Sequence, residues 1–334
     1  PPNDFLLRTI PRFRDESLGF LQTGIGYINR DASFLTRFQA MEMGHQQFVT
    51  VGLSADGDMA SLSGSSCVWR RRCIESLGGW NASVITEDVD LGYRAQISDW
   101  KYAYLRDVVS LSELPESVSA FRVQRERWGR GLIHSAFKHA GQMFRKKMPV
   151  VKRMHAISMM FSSLLLASIY VLLLVSLPLG WVGNYEGEAY QWGAVGFFLV
   201  VGVWLVSNYI GSREGANLAG ERSVFKAFAD MYIYVAMFLP MSLYYFIGGV
   251  RALRGVTGEF NRTPKGLREQ MGSKPKINRM LIAGEVFSFV YAGLATLVAV
   301  LQENYFLVPL DVTGCFGFGM VLYETGKERR LALA

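Results

Sequence analysis

AISMMFSSLLLASIYVLLLVSLPLGWVGNY, residues 156–185, contains no Asp, Glu, Lys or Arg, and its reading decides what kind of fold the chain can have. An α-helix rises about 1.5 Å per residue, so about 20 apolar residues cross the hydrocarbon core of a bilayer. This run exceeds that length. On its C-terminal side further spans are expected at Ala189–Ser212 and Met231–Val250. Another lies at about 286–302, and a weaker one at about 304–322 contains Asp311. On its N-terminal side the composition changes. Up to about residue 155 charged and apolar residues alternate in short runs, as in an α/β domain. The expectation is an integral membrane protein with an α/β portion over 1–150 and a transmembrane region over 151–325.

The positions of the charges agree with a membrane reading. The net charge of +7 gathers beside the apolar runs, in Arg145-Lys146-Lys147 and across 251–279. That second stretch carries eight Lys and Arg against Glu259 and Glu269, which marks it as a cytosolic loop. The segment GNYEGEAYQ between the first two spans is acidic and fits the opposite side. No nucleic-acid-binding motif accompanies the charge. Cys67, Cys73 and Cys315 show neither a metal-ligand spacing nor a disulfide framework, so the α/β portion is expected in the cytosol. His134 and His139 read as solvated helix positions.

If the α/β portion and the loop at 251–279 are both cytosolic, an even number of crossings separates them. Three apolar segments lie between. Met231–Val250 has Pro240 at its centre, which would break or kink a helix, so a re-entrant or interfacial course is expected there.

Four short stretches carry chemistry. In ITEDVDLGYR, residues 85–94, Thr86 is placed to cap a helix whose first turn holds Glu87, Asp88 and Asp90. The same helix end favours an ionised carboxylate, as a general base requires. In SLSGSSCVW, Gly64 between serines permits close backbone approach to a ligand, and Gly78-Gly79 ends a helix or makes a turn. In ELPESVSAFRVQRERWGRG a helix should begin near Pro115. It carries Gln124, Arg127 and Trp128 on one face, suited to an anionic leaving group and a flat sugar or base. The plainer reading of that helix is an amphipathic surface on anionic lipid. In GEFNRTPKG, Phe260, Thr263 and Lys265 form F-x-x-T-x-K inside the basic loop. Strands are expected at 47–53 and 101–109, and helices at 31–43, 88–97 and 116–145.

Taken in order, G-S, T-E-D, Q-x-x-R-W and a membrane-proximal F-x-x-T-x-K resemble the processive family 2 glycosyltransferases of the cellulose-synthase group. The resemblance is strongest to cellulose-synthase-like glucan and mannan synthases and their bacterial relatives, and it covers nearly the whole chain. It implies the C-terminal part of a GT-A-type α/β catalytic domain followed by a helical transmembrane channel. It implies that Asp88 is the general base, supported by Glu87. Gln124, Arg127 and Trp128 would hold the acceptor end and the diphosphate, with Gly64 and Ser65 beside the acceptor terminus. Phe260, Thr263 and Lys265 would belong to a gating loop.

The implied partners are a nucleotide sugar (UDP-glucose or GDP-mannose), a β-linked polysaccharide acceptor and membrane lipid. The implied location is a bacterial inner membrane with the catalytic part cytosolic. A Mg²⁺ or Mn²⁺ ion is implied for the complete enzyme, with no ligand in this chain. The family's D-x-D would lie upstream of PPNDFLL, so the chain reads as an N-terminally truncated piece, inactive alone. Asp56-Gly57-Asp58 comes in the wrong order and reads as a surface turn. A non-processive transferase acting on a lipid carrier, and a non-catalytic channel or scaffold subunit, are the alternatives.

Overall fold

The computed structural model describes residues 1–182, 188–215, 224–256 and 278–333. It shows a mixed α/β unit followed by long helices. The α/β unit opens with α1 (Phe5–Thr9), a 3-10 turn (Ile10–Arg14) and β1 (Leu18–Tyr27). Next come α2 (Phe34–Ala55), β2 (Cys67–Trp69), α3 (Arg71–Ser76), α4 (Glu87–Ile97), β3 (Lys101–Ser112) and α5 (Val118–Arg145). The long helices are α6 (Val150–Trp181), α7 (Glu188–Gly215), α8 (Val224–Leu253), α9 (Arg279–Leu301) and α10 (Val308–Leu333).

The sheet has the order β2-β1-β3, with β1 antiparallel to β2 and parallel to β3. Leu21 pairs with Val68 on one side and Ala103 on the other. Strand β1 is the central strand, and the sequence reading did not place it. Its segment, LGFLQTGIGY, is covered on both faces over its first half, so it lacks the alternation that marks a half-buried strand.

Residues 47–53, expected as a strand, are the second half of helix α2. Ser33 and Thr36 form a capping box at its start. Packing then overrides the β-branched run. Gly44 of α2 and Gly215 of α7 approach backbone to backbone, and Tyr104 Oη of β3 donates to Gln47 Oε1 at 2.8 Å. The expected strand at 101–109 is present as β3, and the three expected helices are present as α2, α4 and α5.

Helices α6, α8 (from Phe228) and α9 are long and apolar enough to cross a membrane. Pro240 does not end α8. The carbonyl of Ala236, which a proline four residues on cannot serve, lies against Gly317 of α10; a methyl there would stand 3.0 Å from the Ala236 carbonyl carbon. Two-thirds of the apolar window of α8 (67%) is covered by other helices, against 33% for α6 and 28% for α9. Helix α8 is therefore the inner member of this group. It carries Tyr234, Met237, Met241 and Tyr244 of the largest apolar core.

Candidate functional site

The site lies where the start of α4 meets α5. Thr86 stands at the N-cap of α4, but its hydroxyl makes no cap bond. It is instead 3.1 Å from Ser135 Oγ on α5, which corrects the expectation of a threonine cap. Gly131 lets α5 approach, since a methyl there would stand 2.9 Å from Thr86 Oγ1.

Asp88 follows in the first turn of α4, partly buried. The segment 63–67 closes over it. Gly64 has no room for a methyl, which would overlap Asp88 Oδ2 and stand 2.9 Å from its Cγ. The close approach that Gly64 permits is thus to Asp88 itself. Cys67 faces the same carboxylate, with Sγ 3.1 Å from Ser63 O. Burial and the Asp88 charge push its thiol up to about 12. Ser65 is exposed beside them.

Burial raises the Asp88 pKa above the usual carboxylate value, and Glu87 adds to the rise. The amides of Val89 and Asp88 and the Arg127 guanidinium pull the other way without cancelling it. The helix end acts as anticipated, but desolvation outweighs it. Arg127 is lowered by its own burial and held up by Asp88 and Glu87. The structure therefore brings Gly64, Glu87, Asp88 and Arg127 to one place.

Gln124 and Trp128 share the α5 face as expected. Gln124 is buried, and Trp128 packs against the large core that includes α2 and α8. Gly129 and Gly248 make the α5–α8 contact close. A methyl on Gly248 would meet Glu126 O at 2.5 Å and Arg130 N at 2.7 Å. Glu126 also accepts from Arg251 Nη1 of α8 at 2.9 Å. At the head of α5, Glu285 of α9 takes a buried bidentate bond from Arg122 and another from Tyr244 Oη at 2.6 Å. Glu328 of α10 accepts from Val118 N at 2.5 Å and Ser119 Oγ at 3.0 Å.

Asp90, to which sequence reading assigned no role, is a fully buried junction (0% exposed). It accepts from Lys138 Nζ at 2.7 Å and Arg94 Nε at 2.8 Å, and His139 Nε2 lies 2.9 Å away. Burial opposes its charge, yet these three partners hold its carboxyl well below the usual range. His139 is accordingly buried (2% exposed), not a solvated position. No short motif announces this cluster, because its members come from α4 and α5.

Asp56 and Gly57 form a turn, with Gly57 at φ +65°, but Asp58 is buried rather than on the surface. Its Oδ2 lies 2.5 Å from His155 Nδ1 and its Oδ1 lies 3.3 Å from Lys152 Nζ. That carboxylate is spent on α6 and does not fit a cation site. Among the described residues no three His, Cys, Asp or Glu side chains group as metal ligands. Phe260, Thr263 and Lys265 lie outside the described residues.

The family described as glycosyl transferase family group 2 matches residues 1–247. The chain belongs to that family. Its α/β unit is thus part of a GT-A-type family 2 domain, as the four motifs implied. A relative from Oryza sativa subsp. japonica, named a probable glucomannan 4-beta-mannosyltransferase 11, is 36% identical over 133 residues. That alignment takes in 39% of this chain, and the chain spans 23% of the relative's length. Family 2 glycosyltransferases generally use a divalent metal, for which the described residues offer no ligand group.

Proposed function

We propose that this chain is part of a membrane-bound, inverting glycosyltransferase that adds sugars from a nucleotide sugar to a growing β-linked polysaccharide. The observation that carries the reading is the placement of Asp88 in the first turn of α4, closed over by Gly64, with the Arg127 guanidinium of α5 near enough to lower its pKa. It sets a carboxylate within the field of a guanidinium on α5, the helix that packs closely on the apolar helix α8.

In this reading Asp88 takes the proton of the acceptor hydroxyl. The oxygen attacks the anomeric carbon from the face opposite the nucleotide, and the bond to phosphate breaks. The diphosphate leaves with the electron pair, so an α-linked donor gives a β-linkage. Arg127 offsets the negative charge gathering on the leaving group. Its charge also limits the rise in the Asp88 pKa, which favours the ionised form that a base requires. Gly64 lets the 63–67 segment close over the base, and Trp128 offers a ring face to the acceptor sugar. The name of the rice relative favours a mannosyl donor. UDP-glucose remains the competing donor.

The test is nucleotide release and polymer formation by the full-length gene product in inverted membrane vesicles, with GDP-mannose or UDP-glucose. A positioned base contributes about 10²–10⁴-fold, so Asp88→Asn is expected to remove nearly all release. A product one sugar long would replace the processive reading with the lipid-carrier one. Release that Asp88→Asn leaves intact would refute Asp88 as the base, and no release with either donor would favour a channel or scaffold subunit.

A further inference from the structure

Arg125 sits inside the Gln124-to-Trp128 motif, at a position to which the motif assigns nothing. It is the bulkiest fully buried side chain among the described residues, at 0% exposure. Its Nη1 donates to Glu42 Oε1 of α2 at 2.6 Å, and its Nη2 lies 2.5 Å from Glu42 Oε2. Glu42 thus holds the guanidinium by one hydrogen bond and a second short ionic contact. The guanidinium carbon lies 4.5 Å from the centroid of the Trp128 ring and 5.0 Å from that of Phe121. At the end of β1, burial raises the Tyr27 phenol, with Glu42 adding to the rise and Arg125 opposing it. The pair thus sits at a junction of α2, α5 and β1.

Stability gives little reason for such a pair. Desolvating two charges costs several kcal/mol, and apolar side chains of the same volume often serve as well or better. Geometry gives a better reason. Two contacts from one carboxylate limit rotation of the guanidinium, whose carbon lies over the Trp128 ring. With one ring face covered by a fixed cation, the indole is held in one orientation, and a flat ligand has to stack on the other face.

We propose that Glu42 and Arg125 are positioning residues that hold Trp128 in the orientation in which it receives the acceptor sugar. This rests on the reading of Trp128 as an acceptor-contacting residue. Neither Glu42 nor Arg125 touches the reacting atoms. They act through the indole, so their loss bears on acceptor binding before it bears on the donor.

The experiment uses the full-length protein in membrane vesicles, with whichever of GDP-mannose and UDP-glucose the wild type turns over. The acceptor is a short β-1,4-linked manno- or gluco-oligosaccharide, and KM is measured for acceptor and donor separately. Arg125→Lys keeps the charge but loses the second contact to Glu42 and the stacking. It is expected to raise the acceptor KM about tenfold, with the donor KM within about twofold. Glu42→Gln is expected to do the same and answers the question if Arg125→Lys does not accumulate. A KM does not depend on how much protein has folded, so a lower yield does not imitate the effect.

The decisive comparison adds Arg125→Lys to Trp128→Ala. If Arg125 acts through the indole, the second change adds nothing to the acceptor KM. Full additivity, or equal rises in donor and acceptor KM, would overturn the inference while leaving Trp128 as an acceptor contact. An unchanged acceptor KM in Trp128→Ala alone would instead remove the reading of Trp128 on which the inference stands.

Discussion

Gly64 and Asp88 are in contact across the site, and the contact leaves no volume for a side chain at residue 64: a Cβ would stand 2.9 Å from Asp88 Cγ and overlap its Oδ2. Backbone strain is not the constraint here, because the φ of Gly64 is not positive. Gly64→Ala is therefore expected to displace Asp88 rather than unfold the chain. A displacement of about 1 Å at a reacting group costs roughly 10²-fold in rate. Turnover should fall about that far, with the melting temperature nearly unchanged since residue 64 is exposed. Wild-type turnover in this variant would show that the loop yields instead.

The pH profile of turnover follows from the charges around Asp88. Its folded pKa is raised, and Asp88 as the proposed base works only when ionised, so the rate should fall with decreasing pH at a value above the ordinary aspartate pKa of about 4. Glu87 raises that pKa and Arg127 lowers it. Glu87→Gln should then move the acidic limb to lower pH, and Arg127→Met should move it higher. Shifts of the opposite sign, read from kcat/KM against pH, would remove Asp88 as the titrating group.

Asp90 predicts a stability effect with a definite pH window. Its carboxylate is ionised and paired with Arg94, Lys138 and His139, and its folded pKa is depressed. Such a group contributes stability that is complete above its unfolded pKa of about 4 and is lost as pH falls through the folded value. Asp90→Asn should therefore destabilise the protein at neutral pH. Removing one partner of a buried pair costs about 3–5 kcal/mol, and the low end is expected because Lys138 reaches solvent. Thermal unfolding from pH 7 downward measures it. A difference from wild type that does not shrink in acid would mean that shape, not charge, is at stake.

Gly248 faces backbone atoms of α5 that cannot rotate away, at 2.5 Å from Glu126 O and 2.7 Å from Arg130 N for an added methyl. Overpacking of this kind typically costs about 1–3 kcal/mol. Gly248→Ala should lower the melting temperature and also lower turnover, since it moves the helix that carries Arg127 and Trp128. Gly249→Ala is the comparison, because its methyl would meet only the far end of Ile133, at 2.8 Å from Cδ1. Equal losses in the two variants would deny any special role to the α5–α8 crossing.

Several features were readable from sequence because their physics is local. Hydropathy alone marks α6 and α9 as helices long enough to span a bilayer. The Glu87-to-Asp90 acids at a helix start, and the shared face of Gln124, Arg127 and Trp128, need only helix geometry. Gly78 and Gly79 read as a helix end or a turn, and both adopt positive φ, at +77° and +84°. Where local preference competed with packing, it lost. The QFVTVGL run has strand-like composition, yet it is helical because α2 is clasped by α7 and β3.

The amino-acid order by itself determined the division into an α/β portion and apolar helices, the family signature, and which side chains are candidates for chemistry. Only the tertiary structure decided how those candidates are tuned and held. Burial, not the helix end, sets the direction of the Asp88 pKa. Asp90 and His139 form an internal junction rather than a solvated surface. Glu42, 83 residues before Arg125, binds that residue of the motif where its guanidinium lies over the Trp128 ring. The physical reason is common to all three. Desolvation and charge pairing depend on what surrounds a group in space, and these surroundings come from segments far apart in the chain.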